Sequence, residues 1–175
     1  MNAFDLILKG TASQALTPEE VIKIARTPCN FFLYEQLVSF SKLYELFIDR
    51  ETSKEVEAVI ILYQETRYSG HYTGLIKRRD GYEFFDSFGL KVDAELEYAQ
   101  YVKTPYLRNL MRNERVTYNT IALQQDKSNV STCGRYVGTR ICMRELSLVE
   151  FHSFFRNAHI PADKLVTLLT LLDKN

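Results

Sequence analysis

Cys133 stands directly before Gly134 in "STCGRYVGTRI", residues 131–141, where the pattern turns helical. A cysteine in the first turn of a helix faces the positive end of the helix dipole and backbone N–H groups without helical partners, and both favour thiolate over thiol. The thiolate is the nucleophilic form, so the position suits covalent catalysis. Free cysteine is also among the most buried residue types, so packing is the competing explanation. The surrounding residue types decide between them.

A nucleophilic cysteine needs a base, and the base needs an acceptor that orients it. The chain has three histidines. His152 falls in "SLVEFHSFF", a predicted helix, and His159 in the polar connection "RNAHIP"; packing and surface exposure account for both. His71 opens a predicted strand after Gly70, and Asp86 ends the next one, in "YEFFDSFG".

Side chains alternate along a strand, so antiparallel pairing puts His71 and Asp86 on one face in either of two registers. A two-residue turn at Asp80-Gly81 sets Asp86 opposite Leu75, about 13 Å along the strand from His71. A four-residue loop from Lys77 to Asp80 sets the two directly opposite. The chemistry is expected to need the longer loop, or a bulge.

Acyl transfer through a thiolate develops negative charge on the carbonyl oxygen, which a side-chain amide and the cysteine's own N–H can stabilise. Gln124 and Gln125, nine and eight residues ahead of Cys133, are both candidates.

The elements that must position these groups are partly legible. "LTPEEVIKIAR" carries a Thr17 cap, Pro18 at the first helical position and Glu20 three residues after the cap, predicting a helix to about Arg26. "TPCNFFLYEQLVSFSKLYELFI" is rich in aromatic and aliphatic residues without a clean period. "VEAVIILY", residues 56–63, is a β-branched run that predicts a strand buried on both faces at the centre of a sheet. His71 to Lys77 and Tyr82 to Asp86 form a predicted hairpin around the Asp80-Gly81 turn signal. "RVTYNTIAL", residues 115–123, predicts a further strand after a short helix in "PYLRNLMRN". Past Cys133, Val137, Ile141 and Cys142 share one helical face, with Gly138 allowing close packing against a sheet. Ser147 and Glu150 form a second capping box, and "PADKLVTLLTLLDK" predicts a closing amphipathic helix.

At 175 residues and 46% hydrophobic, the chain suits a single domain spanning residues 1–175. Lys plus Arg equals Asp plus Glu at 22 each, so charge gives no support for nucleic acid or an anionic membrane. Three cysteines, at 29, 133 and 142, fit neither zinc spacing nor a disulfide framework and suit a reducing compartment. With no leader pattern and no apolar run near the ~20 residues of a membrane span, a soluble intracellular protein is expected.

The order His71, Asp86, Gln, Cys133, in the wording "GHYTGLIK", "FFDSFG" and "TCGRY", resembles the adenain (adenovirus protease) type of cysteine protease. It is most similar to the adenain-like proteases of Polinton-type transposons, virophages and some giant DNA viruses; cellular proteases of ubiquitin-like proteins share that core. The likeness covers about residues 56–160. Tyr72 stands where the family more often has Trp, and nothing before residue 50 matches.

The resemblance implies an α+β, papain-like fold: a mixed, mainly antiparallel sheet with flanking helices and a central helix carrying the nucleophile. It implies His71 as general base, Asp86 as its orienting partner, Cys133 as nucleophile and Gln124, or Gln125, as oxyanion donor, with no metal and no cofactor. The implied activity is maturation cleavage of capsid and other virion precursors, often after glycine or another small residue. It also implies an activating peptide among the partners, and action in the host cytoplasm or virus factory with packaging in the virion. Two alternatives follow. One is a deubiquitinase or ubiquitin-like-modifier isopeptidase using the same triad; the other is a non-catalytic interaction protein with a decayed site.

Overall fold

The computed structural model describes residues 3–67, 69–99, 101–125 and 130–171. Five strands form one sheet in the order β1-β2-β3-β4-β5: Cys29–Leu33, Ala58–Gln64, Gly70–Arg78, Gly81–Asp86 and Val116–Tyr118. The β2/β3 and β3/β4 pairings are antiparallel and carry the long ladders, whereas β1/β2 and β4/β5 are parallel. The architecture is therefore α+β with a mixed sheet.

Six α-helices accompany it among the described residues: α1 (Ala3–Ala12), α2 (Pro18–Ala25), α3 (Tyr106–Met111), α4 (Cys133–Cys142), α5 (Leu148–Asn157) and α6 (Ala162–Leu171). Both capping boxes form as the sequence predicts, Thr17 with Glu20 on α2 and Ser147 with Glu150 on α5. The predicted closing helix is α6, and its expected extension over 172–174 lies outside the described residues. No helix among the described residues is long and apolar enough to cross a membrane.

The aperiodic stretch resolves into β1 followed by two 3-10 helices, Tyr34–Ser39 and Leu43–Phe47. A three-residue 3-10 turn places side chains at spacings that match neither the helical nor the strand template, which explains the absent signal. The strand predicted over 115–123 is confined to Val116–Tyr118. Beyond it Asn119 bonds Ile121 through both its amide oxygen and its amide nitrogen, turning the chain away from the sheet.

The sheet separates two apolar clusters. On one face Val59, Ile61, Leu75 and Phe84 pack against the 3-10 helices and α3; on the other Ile60, Tyr72, Ile76 and Phe85 meet α2, α4 and α5. Helix α4 is enclosed, with every residue from Cys133 to Ile141 buried. Glycines permit its close approach: a Cβ on Gly134 would lie 2.9 Å from Val21 and 3.1 Å from the Tyr72 ring, and Gly138, expected against the sheet, packs instead on Val21 and Ile24 of α2. Two arginines are buried with α4. Arg140 is held by the Glu83 carboxylate of β4, and Arg135 donates to the Thr170 hydroxyl and the Thr11 carbonyl.

The hairpin register is a correction. Arg78 pairs with Gly81 across a turn at Arg79-Asp80, one step from either expected register, and Asp86 falls opposite Thr73. Gly81, in the expected turn, instead begins β4 at φ 136, where a side chain would strike the Arg115 carbonyl. Only glycine takes that backbone without strain.

Candidate active site

His71 enters β3 at the end of the sheet where Asp86 leaves β4. Register places them diagonally rather than opposite, two residues apart on the same face. Diagonal neighbours are within reach of long or ring side chains. Here His71 Nε2 and Asp86 Oδ2 are 3.0 Å apart, with the residues 4% and 1% exposed. Neither a long loop nor a bulge is needed to bring them together.

The backbone beyond β4 fixes the carboxylate. The Phe88 N–H donates to Asp86 Oδ1 at 2.7 Å, so one oxygen is committed to the turn and the other to the histidine. The Asn119 side chain donates to the Asp86 carbonyl at 2.5 Å. The Phe88 ring stacks on the imidazole, with centroids 5.1 Å apart. Ring position, ring orientation and acceptor are thus each set by a separate contact.

With Nε2 given to Asp86, Nδ1 is the nitrogen left for Cys133, the first residue of α4. Burial pulls His71 towards the neutral form. The hydrogen bond to Asp86, together with interaction with Cys133, outweighs it and holds the imidazole well above its ordinary range. The net direction favours the protonated ring.

Thr132 occupies the cap position of α4 without capping it through its side chain. Its hydroxyl instead donates to Asp163 Oδ1 at 2.6 Å, while the Gln125 N–H donates to Asp163 Oδ2 at 3.0 Å. One buried carboxylate from the start of α6 therefore ties down the chain on both sides of the 126–129 segment.

The two glutamines separate cleanly. Gln124 is 7% exposed, and its Oε1 accepts from the Ser87 hydroxyl at 2.7 Å, next to Asp86. That bond orients the amide and leaves its NH2 as a donor. The Gln124 and Leu123 N–H groups both donate to the Ser87 carbonyl, locking the segment to the end of β4. Gln125 is exposed.

The other histidines stand apart from this assembly. His152 is half-buried against Phe151, and His159 lies exposed at φ 55. Cys29 and Cys142 are free thiols, and burial pushes Cys29 up to about 11.

Sequence reasoning missed Ser87, Phe88, Asn119, Glu95 and Asp163. Ser87 and Phe88 adjoin Asp86 within "FFDSFG" and carried a local signal, whereas nothing in the sequence distinguishes Asn119 or Asp163 from ordinary loop and helix-start residues. The ligating atoms of His71, Asp86 and Glu95 lie within 4.8 Å of one another. Within this cluster, His71 Nε2 bonds Asp86 Oδ2 at 3.0 Å, an ordinary hydrogen-bond distance, and lies 3.9 Å from Glu95 Oε1.

No protein-family profile matches the chain. An uncharacterized protein, V9, of Sputnik virophage is 29% identical over 164 residues, covering 81% of this chain and 93% of that protein. The C-terminal Ulp1 protease domain, solved by X-ray in complex with Smt3, the yeast ortholog of SUMO, aligns over 95% of this chain and 81% of that one. It does so at 14% identity and a TM-score of 0.41.

Proposed function

We propose that this protein is a cysteine endopeptidase that cleaves virion precursor proteins during maturation. One observation carries the reading: a buried histidine bonded to a fixed carboxylate interacts with a cysteine that begins an enclosed helix. The likeness to a virophage protein supports the viral setting, and with it action in the virus factory or virion.

The Cys133 thiolate attacks a peptide carbonyl carbon, and the C=O electron pair moves onto oxygen. Gln124 and the Cys133 N–H donate to that oxyanion. His71 passes its proton to the leaving amine as the C–N bond breaks, which leaves a thioester on Cys133. His71, now neutral, takes a proton from water; hydroxide adds to the thioester, and the thiolate leaves as the imidazolium re-forms. Asp86 holds the ring through its hydrogen bond to Nε2. Gln124 is assigned the oxyanion role over Gln125 because its amide is buried and oriented.

Purified protein incubated with virion precursors, followed by mass spectrometry of the new termini, tests the proposal. Cleavage by the wild type and none by Cys133→Ala is the expected result. Cleavage that persists in Cys133→Ala, or a wild type that cuts no virion protein, overturns it. Covalent capture of Cys133 by a C-terminal vinyl probe of ubiquitin or SUMO would move the substrate class to ubiquitin-like modifiers.

A further inference from the structure

Glu95 lies on a short 3-10 helix, Ala94–Glu97, and places Oε1 3.9 Å from His71 Nε2 with its side chain 8% exposed. Its approach is built into the fold. The preceding Asp93 sits in the left-handed region at φ 64. Its Oδ1 accepts from the Tyr34 and Tyr63 hydroxyls at 2.9 Å each, and its Oδ2 from the Arg108 N–H. Three donors from three distant parts of the chain thus hold the turn that presents Glu95 to the site.

Such a placement is costly. A buried carboxylate is normally paired or capped by donors, yet among the described residues no hydrogen bond reaches the Glu95 carboxylate. The charges facing it are His71 from β3, Asp86 from β4 and Glu65 from the loop after β2; burial raises its proton affinity, and of the three groups only His71 opposes that rise. Two carboxylates therefore converge on one ring nitrogen, and the imidazolium is the positive charge that makes the arrangement tolerable.

Building on the proposed protease reading, we infer that Glu95 is a positioning residue for His71, a second carboxylate that stabilises the imidazolium of the Cys133–His71 pair. Asp86 fixes the ring by a hydrogen bond; Glu95 contributes charge from beyond bonding distance. Its effect falls on the histidine more than on the thiolate, because it approaches Nε2, the nitrogen bonded to Asp86. With Asp86 replaced by asparagine, Glu95 is the remaining carboxylate within 4 Å of Nε2.

The test is an NMR titration of the His71 imidazole, assigned by loss of its signal in His71→Ala. The proteins are wild type, Cys133→Ala, Glu95→Gln, Glu95→Asp and Asp86→Asn, the last with and without Glu95→Gln. Glu95→Gln keeps the shape and is expected to lower the His71 midpoint by about one pH unit. Glu95→Asp is expected to restore part of that shift, and the effect is expected to be larger in the Asp86→Asn background. Thermal melts confirm that each variant is folded. An unchanged midpoint in Glu95→Gln, while Cys133→Ala still lowers it, overturns the role of Glu95 and leaves the protease reading standing. A wild-type midpoint near the ordinary 6.5 that Cys133→Ala does not move overturns the ion pair, and the role of Glu95 with it.

Discussion

Arg140, wholly buried in the helix that Cys133 begins, is bonded through Nε and Nη2 to both carboxylate oxygens of Glu83, at 2.8 and 3.0 Å. Glu83 lies three residues before Asp86 on β4, so this pair joins the nucleophile's helix to the strand that carries the acceptor. The remaining Arg140 donors reach the Met143 and Leu146 carbonyls, and Arg78 adds a second guanidinium to Glu83. The buried charges are therefore satisfied on every side.

Removing Glu83 strands the wholly buried Arg140 guanidinium, whereas Glu83 keeps Arg78 when Arg140 is lost. Glu83→Ala is expected to cost about 3–5 kcal/mol of unfolding free energy, and replacement of both Arg140 and Glu83 by apolar residues of similar volume much less. Denaturant unfolding of the two variants measures the difference; equal losses would contradict it.

Close packing of α4 on α2 predicts a second loss. A Cβ on Gly138 would lie 2.7 Å from Ile24 Cγ2 and 3.0 Å from the Val21 carbonyl oxygen. Alanine would gain up to ~1 kcal/mol of helix propensity, but overpacking against a buried helix costs roughly 1–3 kcal/mol. Gly138→Ala is expected to be net destabilising, by a lowered thermal midpoint.

The two glutamines should behave differently. Gln124→Ala is expected to reduce kcat by about 10²–10³ with little change in KM, the signature of a donor used in the transition state. Ser87→Ala, which frees the Gln124 amide to rotate, should lose less, and Gln125→Ala should stay near the wild type. Steady-state kinetics on a cleaved peptide decides; equal losses for Gln124→Ala and Gln125→Ala would contradict the assignment.

His71 binds its proton more tightly in the folded protein than its ordinary value allows, despite burial. The stability this contributes is fully present below the unfolded pKa of about 6.5 and is lost as pH rises through the raised folded value. The stability gap between wild type and His71→Ala should therefore shrink as pH rises above about 6.5. Denaturant melts across that window measure it, and a gap that widens with pH would contradict the linkage.

What the sequence discloses here is local chemistry. The capping boxes at Thr17 and Ser147 and the β-branched run of β2 depend on neighbours a few residues apart, and they form where expected. The His71–Asp86 contact depends on register. Parity placed both residues on one face, but which residues flank the turn was decided by Gly81, whose backbone packs against Arg115 34 residues away. Ser87, Asn119 and Asp163 act through bonds spanning 31 to 38 residues, which no local pattern encodes. The 3-10 helices after β1 escaped for a different reason: their period matches neither template.

The central claim is that His71 and Cys133 work as a pair, and the pH dependence of Cys133 alkylation by iodoacetamide, in wild type and His71→Ala, tests it most directly. Cys29, with its thiol pushed up to about 11 by burial, serves as the slow internal reference. Alkylation of Cys133 is expected to persist to lower pH in the wild type than in His71→Ala. Ordinary thiol behaviour of Cys133 in both proteins would contradict it.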